Sequence, residues 1–107
     1  MDVNIINSNG YTPLHLACME GQVGTVEELL LLKADKDIAG GVWRSTPLHW
    51  ACIKGEEKVI RLLLEKGANP DVKDDTGKLP FQFIKDDELR AQIFSKKILE
   101  QENKTEA

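Results

Sequence analysis

The chain has 107 residues, of which 41% are hydrophobic and 30% are charged, and its formal net charge at pH 7 is −4. This length predicts one domain, and basic residues that are scattered and outnumbered by acidic ones, 14 to 18, argue against nucleic-acid binding. The apolar run from Leu29 to Leu32 is too short to span a bilayer, and no secretory signal is visible.

Residues 1–11 are predicted to form a leading turn, and a short helix then begins at Thr12-Pro13. A Thr hydroxyl accepts a backbone N–H at a helix start, and Pro fits the first helical position, where no N–H is needed. The helix ends at Gly21, because Gly adopts positive φ at little cost. Its apolar stripe consists of Leu14, Ala17 and Cys18.

The same pattern returns 34 residues later, where Thr46–His49 repeats the Thr-Pro-Leu-His of Thr12–His15. Aligning residues 12–34 on residues 46–68 needs no gap and gives ten identities in 23 positions. A second helix follows in each copy; in the later copy an apolar stripe runs along Glu57–Lys66, and Gly67 is its C-cap. Self-similarity at a fixed period predicts one helical unit that has been copied and stacked.

These motifs resemble the ankyrin repeat, a turn followed by two antiparallel helices with a period of about 33 residues. The matching stretches are GYTPLHLACMEG (Gly10–Gly21), STPLHWACIKG (Ser45–Gly55) and VIRLLLEKGANPDVKDDTG (Val59–Gly77). The resemblance implies an all-α solenoid of stacked helix-turn-helix units joined by β-turn loops. It covers roughly residues 1–95.

The predicted boundaries place repeat 1 at 12–44, repeat 2 at 45–77 and a degraded C-terminal capping repeat at 78–100. In the degraded repeat, Leu79 replaces the capping Thr and Gln82 replaces the His, as is usual for a terminal repeat. Asp86 or Asp87 can cap a last helix. Its apolar face is Leu89, Ile93, Phe94 and Ile98. The domain is predicted to cover residues 1–100, and residues 101–107 to form a disordered tail.

Repeat 1 departs from the pattern at its edges. Asp2-Val3-Asn4 resembles the end of a preceding repeat, so the chain is either a piece of a longer array or a small protein whose first repeat is unshielded. If the chain is a piece of a longer array, Leu16, Val23 and Leu31 are predicted to expose apolar area that the missing repeat covers. Lys33 replaces the capping Gly67, which costs about 1 kcal/mol in a left-handed conformation. Repeat 1 is therefore predicted to be the least stable.

The remaining chemistry argues against an enzyme, a metal site or a cofactor. Cys18 and Cys52 occupy equivalent positions in adjacent repeats, beyond disulfide reach, which predicts free buried thiols and a cytoplasmic or nuclear location. The only two histidines both lie in the Thr-Pro-Leu-His motif. The resemblance implies that they form structural hydrogen bonds between neighbouring turns.

Asp35 stands eleven residues before Thr46, whereas Asp2 stands ten before Thr12, so the second turn carries one inserted residue. Trp43 lies in that loop. It is a candidate binding anchor; packing over its own turn is the alternative. For Trp50, partial core packing is favoured.

The resemblance implies an L-shaped stack that binds a partner protein or peptide on the concave face formed by turn tips and first helices. The alternative is an architectural segment that positions neighbouring domains of a larger protein. A monomer is expected, with no small-molecule substrate. The predicted partner-binding residues are Ser8, Asn9, Tyr11, Met19, Glu20, Val42, Trp43, Arg44, Ser45, Trp50, Ile53, Lys54, Asp75 and Lys78.

Overall fold

The computed structural model describes the backbone of residues 3–105 and their side chains except 96–98 and 100–105. The helices in this range are α1 (Pro13–Glu20), α2 (Val23–Leu31), α3 (Pro47–Lys54), α4 (Glu57–Glu65), a 3₁₀ helix (Pro80–Phe83) and α5 (Asp87–Thr105). The only β-type pairing within residues 3–105 is one isolated bridge between Gly40 and Ser45. The predicted all-α repeat fold is confirmed. No helix in this part of the chain combines the length and apolarity needed to cross a membrane.

The first helix of each hairpin begins and ends as its sequence predicts. The hydroxyls of Thr12 and Thr46 each accept the backbone N–H three residues ahead, at 3.3 Å, and proline follows each threonine. Gly21 and Gly55 end α1 and α3 with the same left-handed φ of 67°. Two separate stretches of sequence therefore build the same local structure, which is what stacking of equal units requires.

The hairpins stack into a body of 48 × 25 × 20 Å. Helix α1 packs on both α2 and α3, while α3 packs on α4 and on the 3₁₀ helix, so each unit contacts its neighbours along the row. The core is shared between the units. Its fully buried side chains include Leu14, Cys18, Val26, Leu48, Ala51, Val59, Ile60, Leu63 and Ile84.

Repeat 1 buries less of its second helix than repeat 2. Val26 is the one buried residue of α2, whereas α4 buries Val59, Ile60 and Leu63. Lys33 adopts a φ of 68°, so the predicted left-handed conformation is confirmed. Both features favour the prediction that repeat 1 is the less stable of the two.

The C-terminal unit replaces the repeat's side chains with functional equivalents. The side-chain oxygen of Gln82 accepts the backbone N–H of Leu79 at 2.7 Å, the bond that histidine makes in the earlier repeats. Asp86 is the cap of α5, since its carboxylate accepts the N–H groups of Glu88 and Leu89. Of the predicted apolar face, Leu89 and Phe94 are buried and Ile93 is partly buried; the side chain of Ile98 lies outside the described set.

The sequence predicts a disordered tail at residues 101–107, of which the structure describes the backbone as far as residue 105. Helix α5 is interrupted at Phe94, whose φ of −120° and ψ of 22° are non-helical, and its second stretch reaches Thr105; residues 106 and 107 lie outside the described range. Gln, Glu and Lys in this stretch are good helix formers.

Candidate functional site

Three turns stand in a row beside the first helices. Turn 1 (residues 7–11) is closed by Asn7 N–H donating to the Tyr11 carbonyl at 2.9 Å, and turn 3 (residues 74–78) by the equivalent bond at 3.0 Å. Turn 2 (residues 40–45) is closed by Gly40 N–H and the Ser45 carbonyl at 2.9 Å. Turn 2 thus holds four residues between its closing pair where the others hold three, and the predicted insertion is confirmed.

Turn 2 lacks the side-chain hydrogen bonds that stabilise its neighbours. In turn 1 the Asn7 side chain accepts the N–H groups of Asn9 and Tyr11 at 2.9 and 3.1 Å. In turn 3 Asp74 accepts those of Thr76 and Lys78 at 2.9 and 3.1 Å. The corresponding residue in turn 2 is Gly40, which has no side chain, so turn 2 depends on other contacts for its shape.

Backbone hydrogen bonds to both neighbouring turns supply those contacts. Gly41 N–H donates to the Gly10 carbonyl of turn 1 at 3.1 Å, and Asp75 N–H of turn 3 donates to the Trp43 carbonyl at 2.9 Å. Turn 2 is therefore fixed from both sides, and the residue between these two bonds, Val42, is held at the tip.

The two glycines of turn 2 are required by close approach. A β-carbon on Gly40 would lie 2.3 Å from the Gly10 carbonyl oxygen, and one on Gly41, whose φ is 77°, would lie 2.3 Å from the Tyr11 ring. Because Gly41 has no side chain, the Tyr11 ring can lie directly over it. It also contacts Trp50 edge-on, with ring centroids 5.8 Å apart. Tyr11 and Trp50 are both half-buried, so they support turn 2 as well as bordering the surface.

The two histidines link each repeat to the next. His15 Nε2–H donates to the Ser45 carbonyl at 2.8 Å, and His49 Nε2–H donates to the Lys78 carbonyl at 3.0 Å. Each Nδ1 accepts a backbone N–H, from Thr12 or Thr46, at 3.1 Å. A backbone N–H can only donate, so Nδ1 is unprotonated and each ring is the neutral tautomer with its hydrogen on Nε2.

The surroundings of the histidines and cysteines fit a structural role for these side chains. Burial lowers the pKa of His15 and of His49, although the carbonyl hydrogen bonds partly oppose this. Burial raises the pKa of both free thiols, Cys18 and Cys52, to about 12, which leaves them protonated and weakly nucleophilic. Among the described residues, no group of three or more His, Cys, Asp or Glu side chains could hold a metal ion.

The tip residues of turn 2 differ in kind from those of its neighbours. Turn 1 presents Ser8-Asn9 and turn 3 presents Asp75-Thr76, all exposed and polar. Turn 2 presents Val42 and Trp43, which are 77% and 54% exposed. One apolar projection is therefore flanked by two polar turns.

Arg44 occupies a strained position in turn 2. Its N–H closes the tight turn on the Gly41 carbonyl at 3.3 Å, as Gly10 and Gly77 do in their own turns at 3.0 and 2.9 Å. All three residues have positive φ, 49° for Arg44 against 86° and 81° for the glycines. A side chain in this region costs about 1 kcal/mol, and such strain is found most often at functional positions. The ion pairs within the described part of the chain are Arg61–Glu57 and Arg90–Asp87, so the Arg44 guanidinium is not held by a carboxylate there.

The other predicted residues divide into three groups. Ser45 was predicted to be one of the partner-binding residues, but it is only 2% exposed, because its backbone pairs with Gly40 and its carbonyl accepts a hydrogen bond from His15. Three predicted residues are half-buried: Met19, Trp50 and Ile53. Four are exposed on the first helices and turn 3: Glu20, Lys54, Asp75 and Lys78.

Two of these residues have polar groups in unusual surroundings. The Lys78 ammonium lies 5.5 Å from the centre of the Phe83 ring, which gives this cation a fixed position. The Trp50 indole N–H is buried and finds no hydrogen-bond partner among the described residues.

Sequence reasoning missed the support that Tyr11 and the two glycines give to turn 2; the adjacent glycines at 40 and 41 were the signal that could have revealed it.

Comparison with protein families agrees with this geometry. The family model described as ankyrin repeats (3 copies) matches residues 1–74. The chain belongs to the ankyrin-repeat family. Ankyrin repeats are generally protein–protein interaction modules, and the family is generally non-enzymatic. No significant match was found among curated proteins. The degraded ankyrin repeat predicted at 78–100 lies outside the matched range.

Proposed function

We propose that this protein is a non-catalytic module that binds a partner protein or peptide on the face formed by its turn tips and first helices. The observation that carries the proposal is the exposed Val42-Trp43 pair at the tip of an elongated turn. Exposed apolar groups rimmed by polar residues mark interaction sites, and Trp is among the residues that contribute most to binding energy.

The turn that carries this pair is ordered before any partner binds. Gly41 and Trp43 are hydrogen-bonded to the turns on either side, and the Tyr11 ring lies over Gly41. Fixing a binding residue in advance reduces the entropy that association must overcome. Trp43 is half-covered and half-exposed, so one side of its surface is free for a partner while the turn holds its backbone.

The surroundings of the tip suit a polar rim. Arg44 extends from the tip with no carboxylate partner among the described residues. The exposed charges of Glu20, Lys54 and Lys78 stand on neighbouring elements. Half-buried Met19 and Ile53 at the ends of the first helices add apolar area. This is the arrangement of an interface, in which a central apolar anchor is surrounded by polar groups.

A pull-down from native cells with quantitative mass spectrometry tests the proposal. The bait is the wild-type chain, the Trp43→Ala/Ile53→Ala double variant, or Leu32→Lys as a matched control. Leu32 is 56% exposed and is the C-cap residue of α2. Repeat 2 has lysine, Lys66, at the equivalent position. Proteins captured by wild type and by Leu32→Lys but lost with the double variant are expected. A capture profile that the double variant leaves unchanged would reject the proposed surface.

A further inference from the structure

A row of apolar side chains crosses the first helices, with one equivalent position in each unit. The row consists of Leu16 on α1, Trp50 on α3 and Phe83 on the 3₁₀ helix. Leu16 is 38% exposed, and the other two side chains are half-buried. Because α1 packs on α3 and α3 packs on the 3₁₀ helix, the three positions follow one another across the same face. We call them the first-helix row.

Trp50 is the member of the row that carries a polar group. Its indole N–H is buried and has no hydrogen-bond partner within the part of the chain that the structure describes. Leu16 and Phe83 fill the equivalent positions without any donor, so stacking of the units does not explain the indole nitrogen. A buried donor without a partner costs free energy, since folding removes it from water and supplies no hydrogen bond in exchange.

Tyr11 connects the row to the tip of turn 2. The Tyr11 ring lies against Gly41 of that turn, and it contacts the Trp50 ring edge-on, with ring centroids 5.8 Å apart. The first-helix row is therefore continuous with the surface proposed above. A partner that is anchored at Trp43 can extend onto Trp50 without leaving this surface.

We infer that the partner crosses the first-helix row as an extended segment and accepts a hydrogen bond from the Trp50 indole N–H. This inference rests on the proposed function and specifies the chemistry of its partner. The acceptor is an oxygen atom of the partner's backbone or side chains, since an indole N–H only donates. Trp50 is half-buried, so part of the indole borders solvent, and a change of side-chain rotamer brings the N–H to the surface.

The dimensions of the row favour an extended segment over a helix. Neighbouring helices lie about 8–10 Å apart, so the row is roughly 16–20 Å long. An extended chain covers this length with about five or six residues at ~3.3 Å each. Outside a sheet its carbonyls are unpaired along the whole length, whereas those of a helix are bonded within the helix except in the last turn. An extended segment therefore brings an acceptor close to Trp50.

Linear peptides of about ten residues, which is longer than the row, are the probe for this inference. They are selected from a random phage-displayed library with the wild-type chain as bait, and the affinities of the synthesised peptides are measured by isothermal titration calorimetry. Trp50→Phe removes the N–H and keeps an aromatic ring, which the C-terminal unit carries at the equivalent position. It is expected to weaken peptide binding by about tenfold or more while its far-UV circular dichroism spectrum stays that of the wild type. Leu32→Lys is the matched control and binds the peptides as the wild type does.

Nuclear magnetic resonance observes the hydrogen bond itself. The chain has two tryptophans, so its ¹H–¹⁵N spectrum contains two indole N–H signals, and Trp50→Phe identifies the signal of Trp50. A selected peptide is expected to move this proton signal downfield, because hydrogen bonding deshields the proton. Alanine replacement of each Asp, Glu, Asn and Gln of the peptide separates the two sources of the oxygen. Loss of the shift at one position assigns the acceptor to that side chain, and a shift that survives every replacement assigns it to the backbone.

Three results would each overturn the inference: equal affinity of the peptides for the wild type and Trp50→Phe, a Trp50 signal that the peptides do not shift downfield, or a library that yields no binding peptide. The proposed function is tested separately by the Trp43→Ala/Ile53→Ala double variant. Peptides that bind Trp50→Phe as tightly as the wild type but do not bind the double variant would retain the proposed surface and reject the hydrogen bond from Trp50.

Discussion

Lys33 allows the strain in repeat 1 to be measured against its own counterpart in repeat 2. Lys33 N–H donates to the Leu30 carbonyl at 3.1 Å and Ala34 N–H to the Leu29 carbonyl at 3.0 Å, which is the Schellman geometry. The same two bonds, at 3.0 and 2.9 Å, surround Gly67. The two sites differ mainly in that one left-handed position carries a side chain and the other does not.

We predict that Lys33→Gly stabilises the protein. Removing the side chain relieves about 1–2 kcal/mol of left-handed strain. Two effects oppose this gain. Glycine gives the unfolded chain more conformational freedom, which lowers the free energy of unfolding by roughly 0.4–1 kcal/mol. The lysine also stabilised the helix C-terminus by a few tenths of a kcal/mol, and this contribution is lost. The net gain is about 0.5–1 kcal/mol. Gly67→Lys is the mirror control and should lose a similar amount, since only the Lys36 stem, at 3.6 Å, lies near the new β-carbon.

Urea denaturation followed by far-UV circular dichroism measures both changes. With a slope of about 1–3 kcal/mol per molar urea, the midpoint should move by roughly 0.2–1 M, upward for Lys33→Gly and downward for Gly67→Lys. Hydrogen exchange in the wild type should be faster in residues 13–32 than in residues 47–66, and Lys33→Gly should narrow that difference. A midpoint that falls on Lys33→Gly, or slower exchange in residues 13–32 than in 47–66, would show that the strain argument is wrong.

Three further predictions follow from the turns, the histidines and the thiols. Gly41→Ala should lower the midpoint by at least the equivalent of about 1 kcal/mol, because its β-carbon meets the Tyr11 ring at 2.3 Å in a left-handed conformation; an unchanged midpoint would contradict the close approach. Burial lowers the pKa of His15 and of His49 below 6.5, so the unfolded chain binds more protons between the folded pKa and 6.5, and the free energy of unfolding should fall as pH drops through that window. Denaturation curves from pH 7.5 to pH 5 measure this, and equal stability across the range would exclude it. The two thiols, with pKa raised to about 12, should react with Ellman's reagent only on unfolding; fast labelling of the native protein would refute their burial.

The helices could be predicted from sequence because their signals are local. Thr-Pro at the start of α1 and α3 and the glycines at 21 and 55 act within a few residues, and the structure places the helix ends where they predict. The inserted residue in turn 2 was likewise visible from spacing. The cap of the last helix was narrowed to Asp86 or Asp87, and hydrogen bonds select Asp86.

The candidate surface was predicted less completely, because it depends on contacts between turns that lie about 30 residues apart. Ser45 is buried by His15, at a separation of 30 residues, and no nearby residue indicates this. Tyr11 is half-buried because turn 2 places a glycine under its ring.

The measurement that tests the account most directly is the affinity of a purified captured partner for the wild-type chain and for Trp43→Ala, by isothermal titration calorimetry. The account predicts that Trp43→Ala weakens binding by about 2 kcal/mol or more, roughly 30-fold, while Leu32→Lys binds as the wild type does. Equal affinity for wild type and Trp43→Ala would contradict the claim that turn 2 is where this protein holds its partner.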